Sequence, residues 1–293
     1  MRRRASGAAV SDLGGAGGAS GGPTTRPLRP ALFDPLRLLF GTLTVFPVNP
    51  PRLVNRIVAG RAMTLAPLAG FALALVVGVP LQLAWRWGHG SAALLAALVV
   101  GALAVLTRAM HLDGLADVAD GLGSGRRGEP ALQIMKQSDI GPFGVASLVV
   151  VLLLQVVALS DLVASGRGFA AVVVALVASR TMLPVLCGPR FSPARADGLG
   201  VTMAGSVSTR QLALGLVLAI GLVVAGTGLL GLPGWMEPAH VEALVLAALG
   251  GTAVGHLLAH RAVARFGGTT GDVYGAVVET TFTATLVLAA LFA

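Results

Sequence analysis

The sequence predicts an all-α, polytopic integral membrane protein with about six to seven transmembrane helices and one short interfacial helix. Three observations predict this class. Hydrophobic residues make up 55% of the 293 residues and charged residues only 12%, whereas roughly a quarter of a soluble domain is charged. The mean hydropathy is +0.83. Several apolar stretches approach the roughly 20 residues that a helix needs to span a bilayer.

The chain divides into an extension and one domain. Residues 1–30 are rich in Gly, Ser, Ala and Arg, and they bury too little apolar surface to fold, which predicts disorder. Residues 31–293 are predicted to form a single transmembrane domain. That domain opens with the stretch 31–46, which holds Asp34 and Arg37. This stretch is short and charged for a span, which favours an interfacial or re-entrant helix.

Seven longer apolar segments follow, and the basic residues predict their orientation. If all seven span, 19 of the 21 Lys and Arg residues lie on one side, and only Arg86 and Arg167 lie on the other. By the positive-inside rule, the basic side is cytoplasmic and carries the N-terminus. The segments lie near 64–84, 91–110, 144–163, 169–187, 211–232, 241–259 and 277–293, and the long polar loops on the basic side are 111–143, 188–210 and 260–276.

The composition argues against two other features. The net charge of +8 does not indicate nucleic acid, because the basic residues do not form one soluble face and aromatic residues make up only 5%. Few rings are therefore present on which bases could stack. Cys187 is the only cysteine, so a disulfide within the chain and a cysteine-only metal site are both excluded. Cys187 is predicted to be a small buried hydrophobic residue.

The stretch HLDGLADVADG (111–121) concentrates three of the chain's 13 acidic residues. Asp113, Asp117 and Asp120 are spaced i, i+4 and i+7, which places them on one face of a helix. Their mutual repulsion near the membrane would be relieved by a divalent cation. Carboxylate oxygens are hard ligands and favour Mg²⁺ or Mn²⁺ over zinc. The alternative is a solvated acidic helix end, which the helix dipole would favour at an N-terminus.

Two further features accompany the aspartates. Gly114 and Gly121 leave a bare stripe beside them, where a bulky substrate or another helix could approach. His111 is a candidate substrate ligand or a hydrogen-bond donor to phosphate. The alternative is an interfacial residue that makes an ordinary hydrogen bond.

Three other polar stretches on the same side carry groups that suit phosphate. Lysine acts as a point charge and arginine binds phosphate with two parallel hydrogen bonds. Exposed backbone N–H groups in a Gly/Thr turn can cradle a phosphate. The candidates are Lys136 and Asp139 in IMKQSDIGPFG (134–144), Arg190, Arg195 and Asp197 in PRFSPARADGLG (189–200), and Thr270 and Asp272 in GGTTGDVYGA (267–276). Together, carboxylates for a metal and cations for phosphate indicate metal-assisted phosphoryl transfer.

The order of these motifs resembles the adenosylcobinamide-GDP ribazoletransferase (cobalamin synthase) family. HLDGLADVADGLG and IMKQSDIGPFG come first, ARADGLG (194–200) and GGTTGDVYGA follow, and the resemblance covers roughly residues 31 to 290. It implies an enzyme of the cytoplasmic membrane that requires Mg²⁺. The implied reaction joins adenosylcobinamide-GDP to α-ribazole, or to α-ribazole 5′-phosphate, and releases GMP. Residues 31–293 would then be a transferase domain.

The resemblance also implies roles for individual residues. Asp113, Asp117 and Asp120 would hold Mg²⁺ on the pyrophosphate, and Lys136 or Arg195 would neutralise the departing GMP. Either Asp120 or Asp139 would act as the general base. The substrate-binding candidates are His111, Arg190, Arg195, Asp197, Thr270 and Asp272. Association with a second copy or with enzymes of the same pathway stays open.

Three rival functions would each need different residues. A cation-coupled transporter would use acids within the membrane, but the charge count places this cluster at a span end. In the CDP-alcohol phosphotransferases, the pattern D-x-x-D-G-x-x-A-R is followed by G-x-x-x-D-x-x-x-D. Asp117, Asp120 and Gly121 reproduce its first part, but Ser124 and Gly125 replace the A-R pair. A purely structural membrane protein would leave the polar loops unexplained.

Overall fold

The computed structural model describes residues 30–195, 199–229 and 238–292. Every regular element in these ranges is a helix, which confirms the all-α class. The predicted extension lies outside the described residues except for Pro30. The helices are α1 Asp34–Leu43, α2 Arg56–Thr64, α3 Ala66–Arg86, α4 Ala92–Leu106, α5 Met110–Gly123, α6 Glu129–Ile134, α7 Pro142–Ala164, α8 Gly168–Leu186, α9 Leu199–Met203, α10 Thr209–Leu229, α11 Pro238–Phe266 and α12 Gly271–Leu291.

Six of these helices are long and apolar enough to cross a membrane, namely α3, α7, α8, α10, α11 and α12. They correspond to six of the seven predicted segments. The last begins earlier than predicted, at Gly271 instead of residue 277, because Thr270 caps it by accepting a hydrogen bond from the N–H of Val273 at 3.3 Å.

The segment predicted at 91–110 is broken near its end. Helix α4 stops at Leu106, and the chain turns by 88° into α5. Arg108 and Ala109 adopt left-handed backbone conformations at this bend, with φ of 55° and 52°. Arg108 Nη2 donates to the carbonyls of Gly41 at 2.7 Å and Thr44 at 3.0 Å. The bend is thus tied to the end of α1, and it turns the acidic segment away from the axis of α4.

The short helix predicted within 31–46 is confirmed as α1, which is too short to span. Its Asp34 is buried, and it accepts the backbone N–H groups of Arg52 at 3.0 Å and Ala31 at 2.8 Å. The Arg52 N–H, followed by that of Ala31, holds the pKa of this carboxyl below its usual range despite burial. Asp34 therefore joins α1 to the segment that leads into α2.

The helix α8 lies at the centre of the bundle. Of the residues in its apolar window, 89% are buried, compared with 72% in α12 and only 17% in α10 and α11. The outer helices present large apolar side chains outward, including Leu153, Val217 and Leu257, which are each at least 60% exposed. A helix that is apolar all round is typical of a membrane interior, and the exposed apolar faces are typical of contact with lipid.

Small residues allow the central helices to approach closely. Gly70 of α3 lies directly against the backbone of Leu176 in α8. Gly251 and Gly255, four residues apart on α11, lie against Thr285 and Thr281 of α12. Helices in lipid associate through such packing because apolar burial supplies little driving force there. These contacts set the position of α12, whose first turn carries part of the candidate site.

Candidate active site

The three clustered aspartates lie on α5, the helix that follows the bend. Asp113 is exposed, whereas Asp117 and Asp120 are partly buried. The carboxylates of Asp113 and Asp120 both repel that of Asp117 electrostatically. The three aspartates therefore lie on a helix and close to one another, as their i, i+4, i+7 spacing predicts.

A fourth carboxylate, Asp272, joins this cluster from the first turn of α12. A Cβ at Gly114 would lie 2.6 Å from the carbonyl oxygen of Asp272, and a Cβ at Gly275 would lie 3.2 Å from the Cα of His111. The two helices therefore meet backbone to backbone, and Asp272 also repels Asp117. At Gly114, the bare stripe predicted beside the aspartates packs against helix α12.

The carboxylate of Asp120 caps helix α7. Its oxygens accept the N–H groups of Gly141 at 2.8 Å and Gly144 at 2.9 Å. Gly141 is the N-cap residue and has no side chain that could make this contact, so Asp120 replaces it from α5. A Cβ at Gly144 would lie 2.5 Å from an oxygen of Asp120. Asp120 therefore joins the acidic cluster to α7 and keeps only part of its lone-pair capacity for a metal or a proton.

Replacing Asp120 with alanine is expected to lower the free energy of unfolding by about 1–2 kcal/mol, as loss of a helix cap typically does. Asp113→Ala is the matched control, because it removes an exposed carboxylate from the same helix. Equilibrium unfolding in mixed micelles measures both. Equal stability of the two variants would contradict a capping role for Asp120.

The loops that precede α9 and α12 are joined by a short bridge. The N–H of Ala194 donates to the carbonyl of Thr269 at 3.0 Å, and the N–H of Thr269 donates to that of Ser192 at 2.8 Å. Beside this bridge, the hydroxyl of Thr270 donates to Asp272 at 3.2 Å. Two stretches that are about 75 residues apart in sequence therefore form one wall of the site.

Arg195 lies on this wall and faces the acidic cluster. Its Nη2 donates to the carbonyl of Leu132 at 2.9 Å, and its charge attracts Asp272. Its buried Nε has no hydrogen-bond partner. The guanidinium is therefore held beside the carboxylates with a donor still free.

The other predicted residues are placed differently. Lys136 and Asp139 lie on the exposed segment after α6, and Ser138 donates to Asp139 at 3.3 Å. This segment is anchored to α5, because Met135 packs against Gly121. Arg190 lies near His256 of α11. Asp197 lies outside the described residues.

His111 faces the interior of the bundle, not the surface of the site. It is 3% exposed, and neither ring nitrogen has a hydrogen-bond partner. Arg180 of α8 lies near enough to act on it electrostatically. Arg180 also lines a small cavity together with Glu279, which accepts a hydrogen bond from Gln155 at 2.6 Å. The sequence did not indicate this buried polar group, although Arg180 and Glu279 stand out as charges inside apolar segments.

The donor chemistry of the cluster suits a hard divalent cation. Asp113, Asp117 and Asp272 offer carboxylate oxygens. Among the described residues, no three His, Cys, Asp or Glu side chains converge as a preformed metal cage. Magnesium commonly takes one or two carboxylates together with substrate phosphates. The arrangement therefore fits an ion that is completed by a phosphate-bearing substrate.

Comparison with known proteins places the chain in a family. The family model described as cobalamin-5-phosphate synthase matches residues 35–290. An adenosylcobinamide-GDP ribazoletransferase of Frankia casuarinae is 44% identical over 263 residues, which cover 87% of this chain and 94% of that protein. The protein of the same name from Nocardioides sp. is 39% identical over 253 residues, covering 86% and 96%. No solved structure matches. The chain therefore belongs to the cobalamin-5-phosphate synthase family, and the resemblance seen in its motifs is confirmed.

Proposed function

We propose that this transferase of cobalamin synthesis joins adenosylcobinamide-GDP to α-ribazole or α-ribazole 5′-phosphate. The products are adenosylcobalamin or its phosphate, and GMP. The observation that carries the proposal is the meeting of Asp117, Asp272 and Arg195 at one end of a membrane bundle. The relatives named for this activity match nearly the whole chain.

One or two of the carboxylates of Asp113, Asp117 and Asp272 would hold Mg²⁺ together with the phosphates of the substrate, and Asp120 would contribute only through lone pairs that α7 leaves free. The ion supplies neutralisation of the pyrophosphate charge, which is the main requirement in phosphoryl transfer. Without a cation, the carboxylates would repel the anionic substrate. The proposed Mg²⁺ dependence follows because the carboxylates and the pyrophosphate are both negatively charged.

In the proposed step, a ribose hydroxyl that is free in both α-ribazole and α-ribazole 5′-phosphate attacks the phosphorus nearer the corrinoid. A new P–O bond forms as the bond from that phosphorus to the bridging oxygen breaks, and GMP leaves with the bridging oxygen. The hydroxyl proton passes to an aspartate. Asp139 suits this role better than Asp120, because the Asp120 oxygens already accept two N–H groups and have fewer lone pairs free for a proton.

Cations of the chain would bind the nucleotide. Arg195 is the first candidate, since its position beside Asp272 is fixed by the bond to Leu132 and arginine matches phosphate geometry. Lys136 would reach the departing phosphate from the exposed segment after α6. We further propose that the site faces the cytoplasm, because the basic residues gather at this end of the bundle.

The direct test is GMP release by the purified protein in lipid nanodiscs. The substrates are adenosylcobinamide-GDP and α-ribazole, with Mg²⁺, with EDTA, and with Mg²⁺ restored. CDP-diacylglycerol with an alcohol is the control pair. Mg²⁺-dependent GMP release with a cobalamin-type product is expected. Turnover of the CDP lipid alone would overturn the proposal.

The contact between α5 and α12 supplies a second check. Gly114→Ala is expected to slow GMP release by about 10- to 100-fold, because its Cβ would push Asp272 away and small displacements of catalytic groups have effects of this size. Gly101→Ala is the matched control, since a Cβ there meets no atom within 4 Å. Both variants are assayed in the same nanodiscs. An unimpaired Gly114→Ala enzyme would show that the position of Asp272 does not matter.

A further inference from the structure

A basic pocket opens at the same end of the bundle, where the loop between α5 and α6 lies against the last turns of α11. The cavity is about 290 Å³ and is lined by Leu122, Arg127, Arg261, Ala264 and Arg265. None of the residues assigned above to the transfer reaction lines it. Its function is therefore a separate question from that of the acidic cluster.

Backbone contacts give the pocket its shape. Gly125 and Gly128 adopt positive φ angles of 73° and 60°, which turn the loop back over α11. The N–H of Gly128 donates to the carbonyl of Arg265 at 2.9 Å, and Arg265 Nη2 donates to the carbonyl of Leu122 at 3.0 Å. These two bonds hold the wall that carries Arg127 against the wall that carries Arg261.

The charge of the pocket is uniformly positive. Three guanidinium groups line it, and no carboxylate does. Within the described ranges, the only ion pair joins Arg37 to Asp34, so none of these three arginines is neutralised by one. Arg261 and Arg265 are four residues apart and share one face of α11, where like charges destabilise each other. Binding of an anion would relieve that repulsion.

We propose that Arg127, Arg261 and Arg265 form a binding site for a phosphate group at the membrane surface. Guanidinium groups bind phosphate oxygens through parallel, charge-assisted hydrogen bonds. The leucine and alanine of the lining supply an apolar floor beside the charges. The pocket adjoins the end of the span α11, so its phosphate comes either from a phospholipid headgroup or from a soluble nucleotide.

Two measurements distinguish the sources. Native mass spectrometry of protein released from nanodiscs of phosphatidylcholine and phosphatidylglycerol reports retained anionic lipid. Titration with GDP in phosphatidylcholine nanodiscs reports nucleotide binding. EDTA is present throughout, so an acidic site that needs a divalent cation does not contribute. The result is then independent of whether the transfer reaction occurs.

Two variants alter the pocket in different ways. Arg127→Gln with Arg261→Gln removes two charges and retains Arg265, which holds Leu122. Ala264→Phe fills the cavity and leaves all three charges in place. Arg210→Gln removes an exposed arginine at the start of α10 and is the matched control.

Both pocket variants are expected to weaken binding of the true ligand by about tenfold or more, the double arginine variant because it loses charge-assisted bonds and Ala264→Phe because its ring occupies the space of the ligand. Arg210→Gln should leave binding unchanged. Selective loss of phosphatidylglycerol would identify a headgroup site, and selective loss of GDP would identify a nucleotide site. The proposal is overturned if both pocket variants retain lipid and GDP as well as the control does, or if the protein binds neither ligand.

Discussion

Replacing Asp117 with asparagine is expected to reduce Mg²⁺-dependent GMP release by about 100-fold or more, which is typical when one group that stabilises the transition state is removed. Asp117 lies between Asp113, Asp120 and Asp272 and feels the charge of all three. An amide there keeps the shape of the side chain but removes the central negative charge. The measurement is kcat and KM in nanodiscs over a series of Mg²⁺ concentrations.

The control for this variant is Glu129→Gln, which changes an exposed acid on the neighbouring helix α6. It should keep wild-type kinetics. If Asp117 binds the metal, a higher Mg²⁺ concentration should restore part of the lost rate in Asp117→Asn. Full turnover at low Mg²⁺ in Asp117→Asn would contradict the assignment of Asp117 as a metal ligand.

The second large effect is expected at the buried charges beneath α5. Arg180 and Glu279 line one cavity and attract each other, although neither is exposed by more than 9%. Arg180→Met would leave Glu279 without an opposite charge, and Glu279→Gln would do the same to Arg180. Because Arg180 and Glu279 are not in direct ion-pair contact, each single change is expected to lower the free energy of unfolding by less than the roughly 3–5 kcal/mol lost from a contacting buried pair.

A double-mutant cycle separates the pair from its surroundings. The variant with both Arg180→Met and Glu279→Gln is expected to lose much less stability than the sum of the two single losses. Glutamine at position 279 retains an oxygen for the hydrogen bond from Gln155, so the cycle reports mainly on charge. The free energy of unfolding in mixed micelles is measured for the wild type, the two single variants and the double variant. Additive losses would show that Arg180 and Glu279 do not interact.

Much of the architecture follows from local sequence properties. The apolar segments predicted the long helices because a spanning helix must satisfy its backbone hydrogen bonds within its own segment. The aspartate spacing predicted the acidic face of α5 because residues three or four apart on a helix are neighbours. The order of the four motifs was specific enough to indicate the family before any comparison.

The break after α4 was not predictable from composition. The stretch around Arg108 reads as the polar end of an apolar segment, and its bend depends on carbonyls of Gly41 and Thr44 that are more than 60 residues away. Asp34 is a similar case, since a charged residue in a short helix predicts exposure. It is buried because Arg52 and Ala31 supply N–H groups to it.

The sequence by itself determined the helical membrane architecture, the clustering of Asp113, Asp117 and Asp120, and the family. Only the tertiary structure decided that Asp272 joins that cluster, that Asp120 caps α7 and that His111 faces Arg180. The physical reason is the range of the interactions. Helix periodicity acts over a few residues, whereas the contact of Gly114 with Asp272 exists only once packing has brought α5 and α12 together.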